Sequence, residues 1–303
     1  MSVIQVELIS KYFAHVKALD DISFSAGKGE LFGFIGPDGA GKTTLFRILT
    51  TLLVPDGGKA IINGLDVVKD YRKIRQDIGY MPGRFSLYSD LSVEENLNFY
   101  ATVFGTTVAQ NYDLIRDIYV QIEPFRKRKA GQLSGGMKQK LALSCALIHK
   151  PSVLILDEPT TGVDAVSRLE FWEMLKRLKN SGITIVVATP YMDEASLCDR
   201  VALIQDGKLM AISTPSEVIK KYPHILFSVK SDDILSLLND LRQYPKVHTV
   251  FAFGQSAHVS FKQGQADEQS LHEYLQGKGH SKVKISPVQA NIEDCFMELM
   301  IKT

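Results

Sequence analysis

The chain carries the octapeptide Gly36-Pro37-Asp38-Gly39-Ala40-Gly41-Lys42-Thr43, a full match to G-x-x-x-x-G-K-[ST]. Its glycines let backbone N–H groups turn inward as a nest for anions. The helix expected over Thr44–Leu53 points its positive end at the same place. Lys42 would reach the β- and γ-phosphates of a nucleotide, and the Thr43 hydroxyl would ligate Mg²⁺. A second acidic element follows: Val153-Leu154-Ile155-Leu156-Asp157-Glu158, an apolar strand that ends in two carboxylates. Sheets of α/β proteins bind ligands at the carboxyl ends of their strands. Asp157 would hold the Mg²⁺ shell. Glu158 is placed to take a proton from, or to orient, an attacking water. A third element, Leu133-Ser134-Gly135-Gly136-Met137-Lys138-Gln139-Lys140, opens another helix, with Ser134 as its N-cap.

These groups need a scaffold, and the patterning supplies one. Residues 3–9 alternate, 21–26 read as a strand, and 30–36 form an apolar run that ends in glycine. The order strand, glycine loop, helix is the context that a phosphate loop requires. Residues 92–150 read as helical, and Ser92-Val93-Glu94-Glu95 has the spacing of a capping box. A strand is expected over 152–156, a helix over 165–180 and a strand over 182–189. Asp206-Gly207 is a hairpin turn between strands 201–204 and 208–212. Strands alternating with helices argue for an α/β sheet layer. After about Tyr222 the order becomes strand 225–230, helix 231–242, strand 247–253, strand 257–262, helix 266–277, strand 282–287, helix 291–301. That order predicts a small α+β domain of ferredoxin-like type.

Bulk properties narrow the classes. The chain has 303 residues, 45% apolar and 23% charged, with a formal net charge of +1. This fits one large soluble domain plus a small one, and nothing in the charge points to nucleic acid. Cys145, Cys198 and Cys295 are far apart, so neither a disulfide framework nor a zinc site is expected. His149, His224, His248, His258, His272 and His280 show no metal-ligand spacing and read as surface or packing residues. Arg126-Lys127-Arg128-Lys129 reads as a solvated helix end. No apolar stretch approaches the roughly 20 residues of a membrane span, and residues 1–11 lack the pattern of a signal peptide.

In this order and spacing the three elements, over about residues 3–220, resemble the ATP-binding cassette (ABC) family. Leu19-Asp20-Asp21, Thr161-Gly162-Val163-Asp164, Tyr191-Met192-Asp193-Glu194-Ala195 and Ile292-Glu293-Asp294-Cys295-Phe296 are similar to stand-alone ATP-binding subunits of the ABC-2 export type. The resemblance implies a P-loop cassette over 1–221, with an antiparallel β subdomain and a helical subdomain at about 92–150, followed by the α+β domain over 222–303. It implies ATP and Mg²⁺ as cofactors, with Gly36 to Thr44 and Asp157 at the nucleotide. It also implies a head-to-tail dimer in which Ser134, Gly135, Gly136 and Asp164 complete the other subunit's site. Phe13 matches the aromatic that stacks on adenine, with Tyr12 as its rival. A transmembrane permease would be the further partner, and the subunit would sit in the cytoplasm against the inner face of the membrane. The partner should dock near Gly83 and the segment from Phe85 to Leu91.

Two positions depart from the family pattern. A glutamine is expected after Ile78-Gly79-Tyr80-Met81-Pro82, and Gly83 stands there. A histidine that contacts the γ-phosphate is expected after strand 184–189, and Pro190 stands there. Proline offers neither a side-chain donor nor a backbone N–H. Binding should survive while hydrolysis at this chain's own site slows, which favours a heterodimer with a complete-site relative. The alternatives are a homodimer in which Arg84 or water substitutes, a regulatory module that does not hydrolyse, and a soluble ABC ATPase outside transport.

Overall fold

In the computed structural model the described residues are 2–84, 87–262 and 264–301, so Phe85 and Ser86 of the expected docking segment lie outside them. The chain divides into two compact units, one ending at Pro215 and the other starting at Ser216. No described helix is long and apolar enough to cross a membrane.

The first unit holds two sheets. An antiparallel one has the order β2-β1-β4-β5, from β1 (Ser2–Phe13), β2 (Val16–Gly27), β4 (Gly57–Ile62) and β5 (Leu65–Asp66). The other has the order β10-β9-β3-β8-β7-β6. Its members are β3 (Leu31–Ile35), β6 (Ile78–Met81), β7 (Val153–Asp157), β8 (Thr184–Thr189), β9 (Arg200–Gln205) and β10 (Lys208–Ser213). All of its pairings are parallel except β9 with β10. Strands covered on both faces read as unbroken apolar runs. Accordingly every residue of β3, β7 and β8 is buried. The β9–β10 hairpin turns at Asp206 (φ 47°) and Gly207 (φ 75°), two left-handed residues in succession as a type I′ turn needs.

Helices α1 (Lys42–Leu49), α2 (Tyr71–Asp77) and α6 (Ala165–Asn180) belong to the sheet layers. Helices α3 (Val93–Val103), α4 (Val108–Tyr119) and α5 (Gly135–Leu147) pack on one another as the helical part. The capping box at α3 is complete: Glu95 N–H donates to Ser92 Oγ at 3.2 Å and Ser92 N–H to Glu95 Oε2 at 2.7 Å. A core of aromatic and branched side chains joins the two sheets and α1. At its centre Phe34 meets the rings of Phe24, Phe32 and Phe46 at centroid distances of 4.8, 5.3 and 5.7 Å.

The short helix α7 (Pro215–Lys220) leads into the second unit. There β11 (Leu226–Lys230), α8 (Ile234–Gln243), β12 (Val247–Phe253), β13 (Ser256–Phe261), α9 (Glu268–Gly277), β14 (Lys284–Val288) and α10 (Ile292–Ile301) follow in turn. The sheet order is β12-β13-β11-β14, antiparallel throughout, with its own core from Phe227 to Leu275. This is a β-α-β-β-α-β unit with a helix after its last strand.

Phe34→Ala should lower the stability of the first unit by about 3–5 kcal/mol, the usual cost of deleting a buried ring. Urea unfolding followed by fluorescence checks it; a loss below about 1 kcal/mol would contradict this account of the core.

Candidate nucleotide site

Four neighbouring parallel strands end side by side, and their ends build the site. Ile35 pairs with Thr189, Asp157 with Ala188, and Met81 with Leu156. The residues just beyond β3, β8, β7 and β6 therefore form a row: Gly36, Pro190, Glu158 and the Pro82–Gly83 turn.

The loop after β3 is held by backbone contacts that leave no room for side chains. A Cβ on Gly36 would lie 2.1 Å from Ile204 O, and one on Gly41 would lie 2.6 Å from Ala18 O. Gly39 and Gly41 are left-handed, at φ 81° and 101°, which glycine adopts without steric cost. The β9–β10 hairpin closes the other side, with Gly207 N–H donating to Ala40 O at 3.1 Å. Gly36 N–H donates to Thr189 O at 3.4 Å, which ties the loop to the end of β8.

The charged groups are pre-positioned. Lys42 is buried, and its ammonium donates to Gly36 O at 2.8 Å and Pro37 O at 2.9 Å, with Glu158 Oε1 at 3.4 Å. Thr43 Oγ1 donates to Asp157 Oδ1 at 3.1 Å. Burial pushes the Asp157 carboxyl above its ordinary range, the Thr43 hydrogen bond opposes that, and the Glu158 charge adds to it. Glu158 itself sits at φ 50°, a left-handed conformation that costs a non-glycine residue roughly 1–2 kcal/mol. Tyr80 stands nearby on β6, its hydroxyl pushed up to about 12 by burial and by the Asp157 charge.

Gly83 and Pro190 lie at this site. A Cβ on Gly83 would be 3.3 Å from Asp157 O and 3.9 Å from both Asp157 Oδ2 and Glu158 Cβ. Pro190 directly follows Thr189, whose carbonyl holds the loop.

Ser134, Gly135, Gly136 and Asp164 form a second grouping. Ser134 caps α5 by accepting from Met137 N–H, and Asp164 caps α6 by accepting from Ser167 N–H at 3.0 Å. The two caps pack together: a Cβ on Gly136 would meet Ser167 Oγ at 2.9 Å, and one on Gly135 would meet Gly162 O at 3.4 Å. Phe13 and Tyr12 lie at the tip of the β1–β2 hairpin, 47% and 48% exposed, beside the turn at Ala14. The same hairpin covers the phosphate loop through Ala18 and through Asp20 N–H, which donates to Gly207 O at 2.8 Å.

Two residues that the sequence shows only as members of motifs, Glu194 and Gln139, have supporting roles. Buried Glu194 accepts from Thr160 Oγ1 at 3.1 Å and Thr189 Oγ1 at 2.5 Å. It locks the loop after β7 to the loop after β8. Gln139 Nε2 donates to Pro159 O at 2.7 Å, which joins α5 to the residue after Glu158. A buried glutamine on an otherwise apolar helix face was the available signal for the second.

Residues 19–161 match the family model "ABC transporter". The chain is 42% identical over 219 residues to the "Probable multidrug ABC transporter ATP-binding protein YbhF" of Escherichia coli (strain K12). That alignment covers 72% of this chain and spans 38% of the relative's length. It is 33% identical over 295 residues to "Nod factor export ATP-binding protein I" of Burkholderia lata, covering 96% of this chain and 94% of the relative. The chain belongs to the ATP-binding proteins of the ABC transporter family. Among solved structures it is similar to a dimeric ATP-binding cassette in a post-hydrolysis state bound to ADP and Pi. The TM-score is 0.63 at 25% identity, over 70% of this chain and 98% of that one.

The raised Asp157 carboxyl gives a pH-dependent expectation. A carboxyl whose folded pKa lies above its unfolded value, about 3.9, loses folding stability as pH rises through the folded value. Asp157→Asn should therefore melt higher than the parent at neutral pH in nucleotide-free buffer. The gap should close below about pH 4, where the parent carboxyl is protonated in both states. Melting curves from acid to neutral pH check it; equal melting at pH 7 would contradict the burial cost assigned to Asp157.

Proposed function

We propose that the chain is the ATP-hydrolysing subunit of an exporter, that its intrinsic turnover is slow, and that it works beside a second cassette carrying a complete site. The observation that carries this reading is the row of strand ends that sets the phosphate loop against Asp157 and Glu158, with Gly83 and Pro190 at the two places that would aid hydrolysis.

Within Gly36 to Thr44, the backbone N–H groups from Asp38 onward supply donors to the phosphate chain, and the Lys42 ammonium exchanges Gly36 O and Pro37 O for β- and γ-phosphate oxygens. Phe13, with Tyr12 as the alternative, gives the adenine an aromatic face worth about 1–3 kcal/mol. Thr43 and Asp157 are the groups that would hold Mg²⁺. Their oxygens already face each other at 3.1 Å, and an all-oxygen pair with one buried carboxylate suits a hard cation. The ion would neutralise charge that develops on the phosphates. Glu158 accepts the proton of the water that attacks the γ-phosphorus. Ser134, Gly135, Gly136 and Asp164 would serve the nucleotide held by the other cassette. The dimeric relative with ADP and Pi supports that arrangement.

Gly83 leaves no side chain to position water beside Glu158, and Pro190 leaves no donor for the γ-phosphate. Losing one donor aimed at developing charge costs about 100- to 1,000-fold in rate. The purified chain should turn over well below about 1 per second, the low end of typical enzyme kcat values. Gly83→Gln with Pro190→His should raise its kcat by about 100-fold or more, limited by non-additivity. Glutamine fits at 83 with a shift of a few tenths of an ångström, because the nearest backbone atom is 3.3 Å from its Cβ. Turnover of the unmodified chain alone at 1–10 per second would overturn the slow-site reading. ATP-dependent dimerisation with no phosphate release, even beside a complete cassette, would favour the regulatory reading instead.

The permease is expected in a groove of about 350 Å³ between the sheet and the helical part, lined by Leu52, Tyr80, Leu87, Val103, Phe104 and His149. Leu52 and Val103 are exposed there, at 58% and 62%. His149 stacks on Phe104 at 3.7 Å and burial lowers its pKa, which leaves Arg75 as the charged side chain of an otherwise mostly apolar lining. A mostly apolar groove, with no membrane-spanning helix among the described residues, fits a loop or short helix of a membrane subunit. Such a partner would hold the chain at the cytoplasmic face of the membrane. Val103→Asp should abolish co-purification with membrane subunits and leave ATP affinity within about twofold. Undiminished co-purification would rule out this groove as the dock.

A further inference from the structure

The second unit brings together three side chains that lie far apart in sequence. His224 precedes β11, His248 is on β12, and Glu298 is on α10. His224 Nε2 lies 3.2 Å from Glu298 Oε1, and His248 Nε2 lies 3.3 Å from Glu298 Oε2. The two imidazole rings are 4.5 Å apart, and the three candidate ligand atoms all fall within 4.8 Å of one another. We infer that His224, His248 and Glu298 form a binding site for a transition-metal ion of the Zn²⁺ type.

The geometry and the charge agree. A tetrahedral ion with bonds of 2.0–2.1 Å separates its ligands by about 3.3 Å; each imidazole nitrogen lies at that spacing from one of the two Glu298 oxygens, and a small side-chain shift would bring both to one oxygen. Two imidazoles and one carboxylate are a known zinc ligand set that leaves one position for water or another ligand. Here His248 is exposed and Glu298 is buried, so the open position faces solvent while the carboxylate anchors the ion from below.

The surroundings are anionic. Glu298 and Asp294 lie one turn apart on α10, both buried. Asp294 Oδ1 is 2.9 Å from His258 Nδ1, and the ring of His258 stacks on Phe253 at 3.9 Å. Tyr222 packs edge-on against His224. Two buried carboxylates in a low-dielectric site favour a cation beside them. Bound metal would clamp the lead-in to β11, β12 and α10 together and so stiffen this unit. The spacing argument that set His224 and His248 aside fails because the ligands come from three separate elements.

The test is uptake of Zn²⁺ by the untagged, nucleotide-free full chain in excess Mg²⁺, measured by competition with a chromogenic chelator. One Zn²⁺ per chain is expected, with a rise in the melting temperature of the second unit that excess chelator reverses. His224→Ala, His248→Ala and Glu298→Gln should each weaken uptake by at least about 100-fold, the upper end of what losing even an outer-shell partner costs. His272→Ala should leave it unchanged. Co²⁺ in place of Zn²⁺ should give an intense visible band, which the three variants lose; circular dichroism separates lost ligation from lost folding. Absence of stoichiometric uptake, or uptake that survives His224→Ala and His248→Ala, would overturn the site. A Glu298→Gln variant that loses stability but keeps Zn²⁺ would also overturn it and mark the trio as ion pairs alone.

Discussion

The nucleotide site depends on the parallel pairing of β3, β8, β7 and β6 more than on any single side chain. A parallel sheet ends all its strands on one side, so whatever follows each strand is delivered to one edge. Pairing of Ile35 with Thr189 and of Asp157 with Ala188 fixes the row to within a residue. A slip of one residue in β7 would turn Asp157 to the other face. The hydrophobic uniformity of these strands does not itself prevent such a slip. The polar ends do, through Gly36 N–H on Thr189 O and Glu158 N–H on Ala188 O.

On that edge the backbone does most of the shaping. Gly36 and Gly41 touch carbonyl oxygens so closely that no other residue fits, and the contacts come from β9 and from the β1–β2 hairpin. The antiparallel sheet is thus coupled to the phosphate loop, although it contributes no charged group there. The charges are balanced but not neutralised. Lys42 is held by two carbonyls and one carboxylate, whereas Asp157 has only a hydroxyl and lies beside a second acid. That asymmetry leaves the acidic side of the site in want of a cation and the basic side ready for an anion.

Local motifs were legible in the sequence because their chemistry is local. The phosphate loop, the acidic end of β7, the capping box at Ser92 and the Asp206-Gly207 turn each need only a few adjacent residues. The strands and helices of the second unit were readable for the same reason, through period and turn residues. What was not readable depends on register and distance. β4 to β6 form between residues 57 and 81, where alternation is weak, and take their places by pairing with β1 and β7. Glu194 looks like an ordinary acid of a polar segment until Thr160 and Thr189 are brought to it. The His224, His248 and Glu298 trio has no motif, because no element holds two of its members.

Binding and hydrolysis ask different things of this edge, and the chain supplies them unequally. Binding needs an anion nest, a lysine and a cation site, all built from strand ends that also hold the sheet together. The proposed slow hydrolysis turns on two further positions of the row, after β6 and after β8, which flank Glu158 at the end of β7. Neither position is closed to a side chain: a Cβ at 83 would need a shift of a few tenths of an ångström from Asp157 O at 3.3 Å and would meet Asp157 Oδ2 and Glu158 Cβ at ordinary contact, and Pro190 follows the last residue of β8. Positions free of structural duty are the ones where catalytic helpers can be absent while the fold and the nucleotide pocket stay intact. On the reading proposed above, Gly83 and Pro190 would separate ATP-driven closure from ATP turnover within one unaltered architecture.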